Sequence, residues 1–265
     1  MTLELQNFDK NNVRQHIWDL METQRLVSYP LPLAGRIPNF QGSAHAAYKL
    51  CSTPEFRSAT VVKIHPSLNA ERLRFLSLKF GKKVLTPPLP GHSFLYFLLD
   101  PASIPPRFYK FAATKRGFNK LGTPCALADI PPVDLVVVAT VACTRTGARL
   151  GKGKGYGEVE YGILREIGRV TEETPVATIV HDVQLVEEGE IPARELACHD
   201  LPVDIICTPT TVVRTRSSIR KPGGIFWDMI QDQMIKDIGA LEELKTLQRS
   251  SNLNVNSEAE VQNGD

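Results

Sequence analysis

Ten residues, Gly147-Ala148-Arg149-Leu150-Gly151-Lys152-Gly153-Lys154-Gly155-Tyr156, constrain this chain more than any other stretch. They follow its most apolar run, Val133 to Ala142, and precede a helical pattern. A strand, a glycine loop and a helix in that order let backbone N–H groups approach an anion closely, and the helix N-terminus adds a favourable dipole. Arg149, Lys152 and Lys154 bring positive charge to the loop. The segment reads as a phosphate site, against the plainer alternative of a basic turn that only joins strand to helix. Two familiar phosphate loops are excluded. A P-loop needs Ser or Thr after its Gly-Lys, whereas Lys152 and Lys154 are each followed by glycine. A dinucleotide fingerprint needs a third glycine three places after the second, and counting from Gly151 and Gly153 reaches Tyr156 and Glu158.

Periodicity organises the rest. Val13, Ile17, Leu20 and Met21 fall on one helical face, which predicts an amphipathic helix over 9–26, and Pro30, Pro32 and Pro38 then hold the chain extended. Residues 60–64 and 83–86 read as strands around a helix near 70–79, and the proline-punctuated stretch 87–106 reads as loop-rich. A strand over 133–142, the glycine loop and a helix over 158–170 follow, the helix carrying Val159, Ile163, Ile167 and Val170 as one stripe. The apolar runs 176–180 and 203–207 suit strands buried on both faces. A closing helix is expected over 227–247, and a polar, disordered tail over 250–265. Strands separated by helices argue for an α/β fold with a mostly parallel sheet. No repeat or internal boundary is visible, so 9–249 is read as a single domain.

Composition excludes several classes. At 265 residues and 42% hydrophobic, the chain can bury a sizeable core. A net charge of +2 gives no global attraction to nucleic acid or acidic membrane. Cys51, Cys125, Cys143, Cys198 and Cys207 lack metal-type spacing and read as reduced thiols of a cytoplasmic protein. Met1 to Asn12 suits neither a signal nor a transit peptide, and no apolar run reaches membrane-span length.

The motif Gly147-x-Arg149-Leu150-Gly151-x-Gly153-x-Gly155-Tyr156 resembles the signature of the 5-formyltetrahydrofolate cyclo-ligase family. His199-Asp200-x-x-Val203-Asp204-x-Ile206-x-Thr208 is similar to that family's His-Asp segment, with Gln184 upstream, and Lys10-x-x-Val13-Arg14 resembles its Lys-x-x-Leu-Arg. Arg36-Ile37-Pro38-Asn39-Phe40 and Lys221-Pro222-x-Gly224-Ile225-x-Trp227 resemble its divergent methenyltetrahydrofolate synthetase domain-containing branch, whose animal members often carry a separate RNA-recognition domain. The resemblance spans about residues 10–230. It implies a doubly wound fold similar to the ribose-phosphate isomerase and CoA-transferase group. It also implies chemistry in which ATP and magnesium activate 5-formyltetrahydrofolate for ring closure. Under it, Lys10, Arg14, Arg149, Gly151, Lys152, Gly153, Lys154 and Gly155 are the expected ATP-phosphate ligands. Glu158 is the expected magnesium ligand and, with Tyr156, the catalytic pair; Glu160 is a second carboxylate, and His199 and Asp200 form the site wall.

The chain departs from the family pattern in three successive places. Gly157 replaces a tyrosine, Glu158 an aspartate, and Val159 an arginine that can stabilise phosphate charge as valine cannot. The family's pteridine-binding glutamate has no counterpart in the first third, where Pro54-Glu55 is a poor match. Three readings stay open: an active ATP-dependent cyclo-ligase, a nucleotide- or folate-binding relative with lost or altered catalysis, and an RNA-associated protein. Against the last, Arg116-Gly117-Phe118 shares only part of an RNA-recognition signature, and Arg214, Arg216, Arg220 and Lys221 suit a solvated loop. The expected partners are a nucleotide and a reduced folate, with neither RNA nor membrane expected for this chain alone.

Overall fold

A computed structural model describes residues 9–88 and 90–248. The polar tail expected over 250–265 lies outside the described residues. In chain order the strands are β1 Val61–Ile64, β2 Lys83–Thr86, β3 Tyr96–Leu99, β4 Thr123–Cys125, β5 Leu135–Val137, β6 Ala142–Thr144, β7 Arg149–Leu150, β8 Val176–Ile179, β9 Leu185–Val186, β10 Ile205–Cys207 and β11 Val212–Arg214. Eight of them form one sheet in the order β11-β10-β8-β5-β1-β2-β3-β4, and β7-β6-β9 form a second. The central five, β10 to β2, run parallel, while β11, β3 and β4 pair antiparallel at the edges. The expected mostly parallel sheet is therefore present.

Helices cover both faces of that sheet. They are α1 Lys10–Thr23, α2 Ser43–Cys51, α3 Pro54–Ser58, α4 Glu71–Lys79, α5 Tyr109–Ala112, α6 Lys115–Leu121, α7 Tyr156–Glu166 and α8 Asp232–Asp237, followed by a helical segment over 240–248. Side chains alternate across a strand. Val62, Ile64, Leu135 and Val137 accordingly join one core with Ile17, Met21, Leu50 and Leu73 of α1, α2 and α4. Val61, Val136 and Val176 join the other core with Tyr161, Ile163 and Leu164 of α7. Among the described residues, no helix is long and apolar enough to cross a membrane.

Four expectations change. The apolar run 133–142 is not one strand: β5 ends at Val137 and β6 starts at Ala142 in the smaller sheet. Side chains take the intervening carbonyls, Arg149 Nη1 donating to Ala139 O (2.7 Å) and Gln184 Nε2 to Thr140 O (3.1 Å) and Val141 O (3.0 Å). Backbone oxygens satisfied this way need no ladder partner. The stretch 87–106, read as loop-rich with no strand assigned, contains β3, whose Tyr96 and Leu99 are fully buried. The helix expected over 158–170 runs from Tyr156 to Glu166 and ends before Gly168, whose φ is +67°. The closing helix expected over 227–247 is broken. A short 3-10 turn at Trp227–Met229 and α8 precede Ile238, which bridges to His92, while Gly239 donates to His92 O (3.1 Å).

The partial RNA signature has a packing explanation. A Cβ on Gly117 would lie 1.6 Å from Phe111 O, so α6 can cross α5 only with glycine there. Phe118 is fully buried and cannot stack on a base. Of the basic cluster, Arg214 pairs with Glu55 and Lys221 with Asp204 (2.8 Å).

Candidate functional site

Strand order reverses between β1 and β5: the chain passes from β1 to β2 on one side, then returns to place β5 on the other. In open α/β sheets ligands bind at the carboxyl ends of the strands flanking such a point. A cavity of about 720 Å³ opens there. His65 and Pro66 beyond β1, Val138 and Ala139 beyond β5, and Lys10 and Arg14 of α1 line it. So do Gly151 to Glu158 and Glu160, so one wall is the loop and first turn of α7. Its size is that of an ordinary small-molecule site.

The glycine run divides at β7, so the expected single loop is two structures. Gly147 (φ +96°) belongs to the β6–β7 hairpin, its N–H donating to Thr144 O at 3.1 Å. Only Gly151–Gly155 carries the chain into α7. Gly153 (φ +88°) and Gly155 (φ +70°) hold the left-handed conformation that turns this loop's backbone, and Gly155 is the N-cap of α7 without a side chain to offer. The first-turn N–H groups of this 11-residue helix thus have no side-chain cap, and the dipole there favours an anion.

Charges around the loop fall into two sets. Inside the wall, acids and bases are matched: Arg149 with Glu158, Lys63 Nζ with Glu160 Oε2 (2.6 Å), and Lys10 with Asp200. At the mouth they are not. Lys115, Lys152 and Lys154 make no ion pair among the described residues. Lys152 Nζ sits 5.4 Å from the centroid of the Tyr156 ring. Desolvation, then the like charges of Lys154 and Lys115, hold its ammonium below the ordinary lysine range. Arg14 is bonded across to the loop, Nε donating to Gly151 O (2.7 Å), and burial lowers its guanidinium although Glu158 and Asp200 oppose that. A polyanion at the mouth would relieve this crowding.

All the residues expected at the site line the cavity, but they differ in what they can offer. Arg149 is 2% exposed on β7, and besides Glu158 and Ala139 O it donates to Leu201 O (2.8 Å). It braces the wall. Tyr156 donates to Asp237, and desolvation, then that bond, pushes its phenol up to about 12. Asp200 also accepts from Ala197 N (2.7 Å), and the His199 ring packs edge-on to Phe226. Val159, where the family pattern has arginine, is buried in the core beneath α7. Gly157 faces open space, with no atom within 4 Å of where a Cβ would stand. The donor set does not form a magnesium cage. Glu158 is taken by Arg149, and no group of three or more His, Cys, Asp or Glu side chains able to hold a metal occurs among the described residues.

Lys63, His65 and Lys115 are among the lining residues that escaped the sequence reading. A lysine inside the apolar run Thr60-Val61-Val62-Lys63-Ile64 was the available signal, since a buried charge demands a partner. His65 is 3% exposed, and neither ring nitrogen has a protein partner among the described residues. Burial, then Arg74, Lys63 and Arg149, hold its imidazole well below the ordinary histidine value of 6.5. The unfolded chain therefore takes up a proton near that value and the native chain does not. Stability from neutral His65 is complete above it and is lost on acidification, by about 1.4 kcal/mol per pH unit until the native ring also titrates. Urea midpoints are expected to fall between about pH 7 and pH 5, with a shallower slope for His65→Asn.

The 5-formyltetrahydrofolate cyclo-ligase family model matches residues 6–209. The chain belongs to that family. It is 36% identical over 248 residues to the methenyltetrahydrofolate synthase domain-containing protein of Danio rerio, covering 93% of this chain and 64% of that protein. Against the protein of the same description from Bos taurus it is 38% identical over 237 residues, covering 89% and 62%. The chain thus spans under two thirds of the length of these two relatives. Among solved structures it is similar to the NMR structure of Aquifex aeolicus 5,10-methenyltetrahydrofolate synthetase, with TM-score 0.50 and 22% identity over 79% of this chain and 94% of that one. That likeness concerns the fold.

Proposed function

We propose that this cyclo-ligase family member binds the triphosphate of a nucleotide at Gly151–Gly155, takes a reduced folate into the same cavity, and has weak or altered cyclo-ligase activity. One observation carries the reading: Lys152 and Lys154, without an ion pair among the described residues, belong to the loop that ends in the glycine N-cap of α7 and lines the switch-point cavity. Backbone N–H groups, a helix dipole and mobile cations are the parts that phosphate binding needs. Lys10 and Arg14 face the loop from α1, where they flank rather than lead, since Asp200 and Gly151 O already engage them. With Glu158 engaged by Arg149, any magnesium ion would be carried by the nucleotide's own phosphates.

Weak or altered catalysis rests on the three departures. Val159 is buried in packing, Gly157 leaves open the space a tyrosine would fill, and Glu158 is held by Arg149. Loss of one preorganised charge-stabilising donor costs a factor of about 10² to 10³ in rate. With 5-formyltetrahydrofolate, ATP and magnesium, formation of the methenyl product followed by absorbance is expected to be slower than an authentic cyclo-ligase by at least about 10²-fold. ATP is expected to protect against thermal unfolding all the same, by about 2.7 kcal/mol at 100 times its Kd. Turnover matching an authentic enzyme would overturn the catalytic half, and absence of protection by ATP would overturn the binding half.

A further inference from the structure

His65 lines the cavity with both ring nitrogens unused; His199, which also lines it, leaves only Nδ1 buried without a partner among the described residues. It follows β1 directly, its N–H donating to Val137 O at 3.2 Å, and strand alternation puts its ring on the same face as Lys63, toward α7. Both ring nitrogens are buried without a protein partner among the described residues. Leaving a buried donor and acceptor unmet costs about 1–3 kcal/mol each, so such a pair is rarely idle at the floor of a cavity.

The surroundings define what would meet it. The charges that line the cavity near the ring are already engaged, Lys63 by Glu160 and Arg149 by Glu158; Arg74, outside the lining, gives Nε to Ala113 O (2.8 Å) and Nη1 to His65 O (2.7 Å), with its buried Nη2 left without a partner among the described residues. Neither Lys63 nor Arg149 is free to meet a charged ligand group in the cavity, whereas a neutral edge with one acceptor and one donor would fit a neutral imidazole, which offers one N–H and one bare nitrogen. The neighbouring lining is apolar and suits a planar group: Pro66, Pro87, Pro88, Phe94, Val138 and Ala139. We propose that His65 reads the hydrogen-bonding edge of an uncharged nitrogen heterocycle, the base of a nucleotide or the ring of a reduced folate, while the lysines at the mouth hold the anionic part of the same or a neighbouring ligand. The inference rests on the reading above for the mouth of the cavity alone.

Isotope-labelled histidine and backbone NMR separates the two. Inorganic tripolyphosphate is expected to shift the amides of Gly153 and Gly155 and leave the His65 ring nitrogens in place. ATP, 5-formyltetrahydrofolate or both are expected to move the ring nitrogens, and whichever does so names the heterocycle. His65→Phe should weaken that ligand by about 10-fold or more and leave tripolyphosphate affinity unchanged, the size expected for two lost neutral hydrogen bonds. The wild-type spectra carry the test even if the variant folds poorly. Ring nitrogens unmoved by both ATP and 5-formyltetrahydrofolate would overturn the role of His65. A tripolyphosphate titration that leaves the loop amides still would instead count against the phosphate site, without bearing on His65.

Discussion

Replacing Glu160 with leucine is expected to cost about 3–5 kcal/mol of folding free energy, because it strands the Lys63 ammonium in the core. The Lys63 side chain is only 1% exposed, and Glu160 Oε2 at 2.6 Å is its partner. The two come from β1 and α7, so the pair ties the centre of the sheet to the helix that carries the candidate phosphate site. Removing both charges together, as Lys63→Met with Glu160→Leu, should recover most of the loss, since well-packed apolar replacements of buried ion pairs are often neutral or stabilising. Urea unfolding of wild type, the single variant and the double variant decides it. A single variant within about 1 kcal/mol of wild type, or a double variant no better than the single, would mean that the pair is not an energetic unit.

Lys152→Ala combined with Lys154→Ala is expected to lower affinity for ATP and for inorganic tripolyphosphate by about 10² to 10⁴, with the melting temperature little changed. Each charge-assisted contact is worth about 1.5–3 kcal/mol, and the two act on the same anion. Neither lysine holds an ion pair among the described residues, so their removal leaves no buried charge behind there. Titration calorimetry measures the change. Unchanged affinity would return Gly151–Gly155 to the role of a connecting turn.

The parts of the molecule that were legible in its sequence are those ruled by local periodicity. The strands at 60–64 and 83–86 and the helix near 70–79 emerge almost where expected, because burial on both faces makes short strands uniformly apolar. The run 133–142 misled for the same reason. Its apolar character is real, but Arg149 and Gln184 reach its carbonyls from far along the chain, and no local pattern reports such a contact. At the site, glycines and lysines could be read from spacing, and the family motif carried Lys10, Arg14, His199 and Asp200 to the same cavity. What could not be read was how charge is apportioned. Arg149 and Glu158 looked like ligands for phosphate and metal, yet they bind one another. His65 gave no motif at all; its place emerges only once β1 and β5 lie side by side.

The ends of the large sheet show why it stops at eight strands. At one edge, β4 is three residues long and includes Pro124, which has no N–H to give a newcomer. At the other, β11 is equally short, and its Arg214 is fastened to Glu55 of α3. A strand from another molecule would find at most three residues to pair with at either end, too few to overcome the entropy of docking. A chain whose central strands are almost wholly apolar is thereby guarded, edge by edge, against growing into an aggregate.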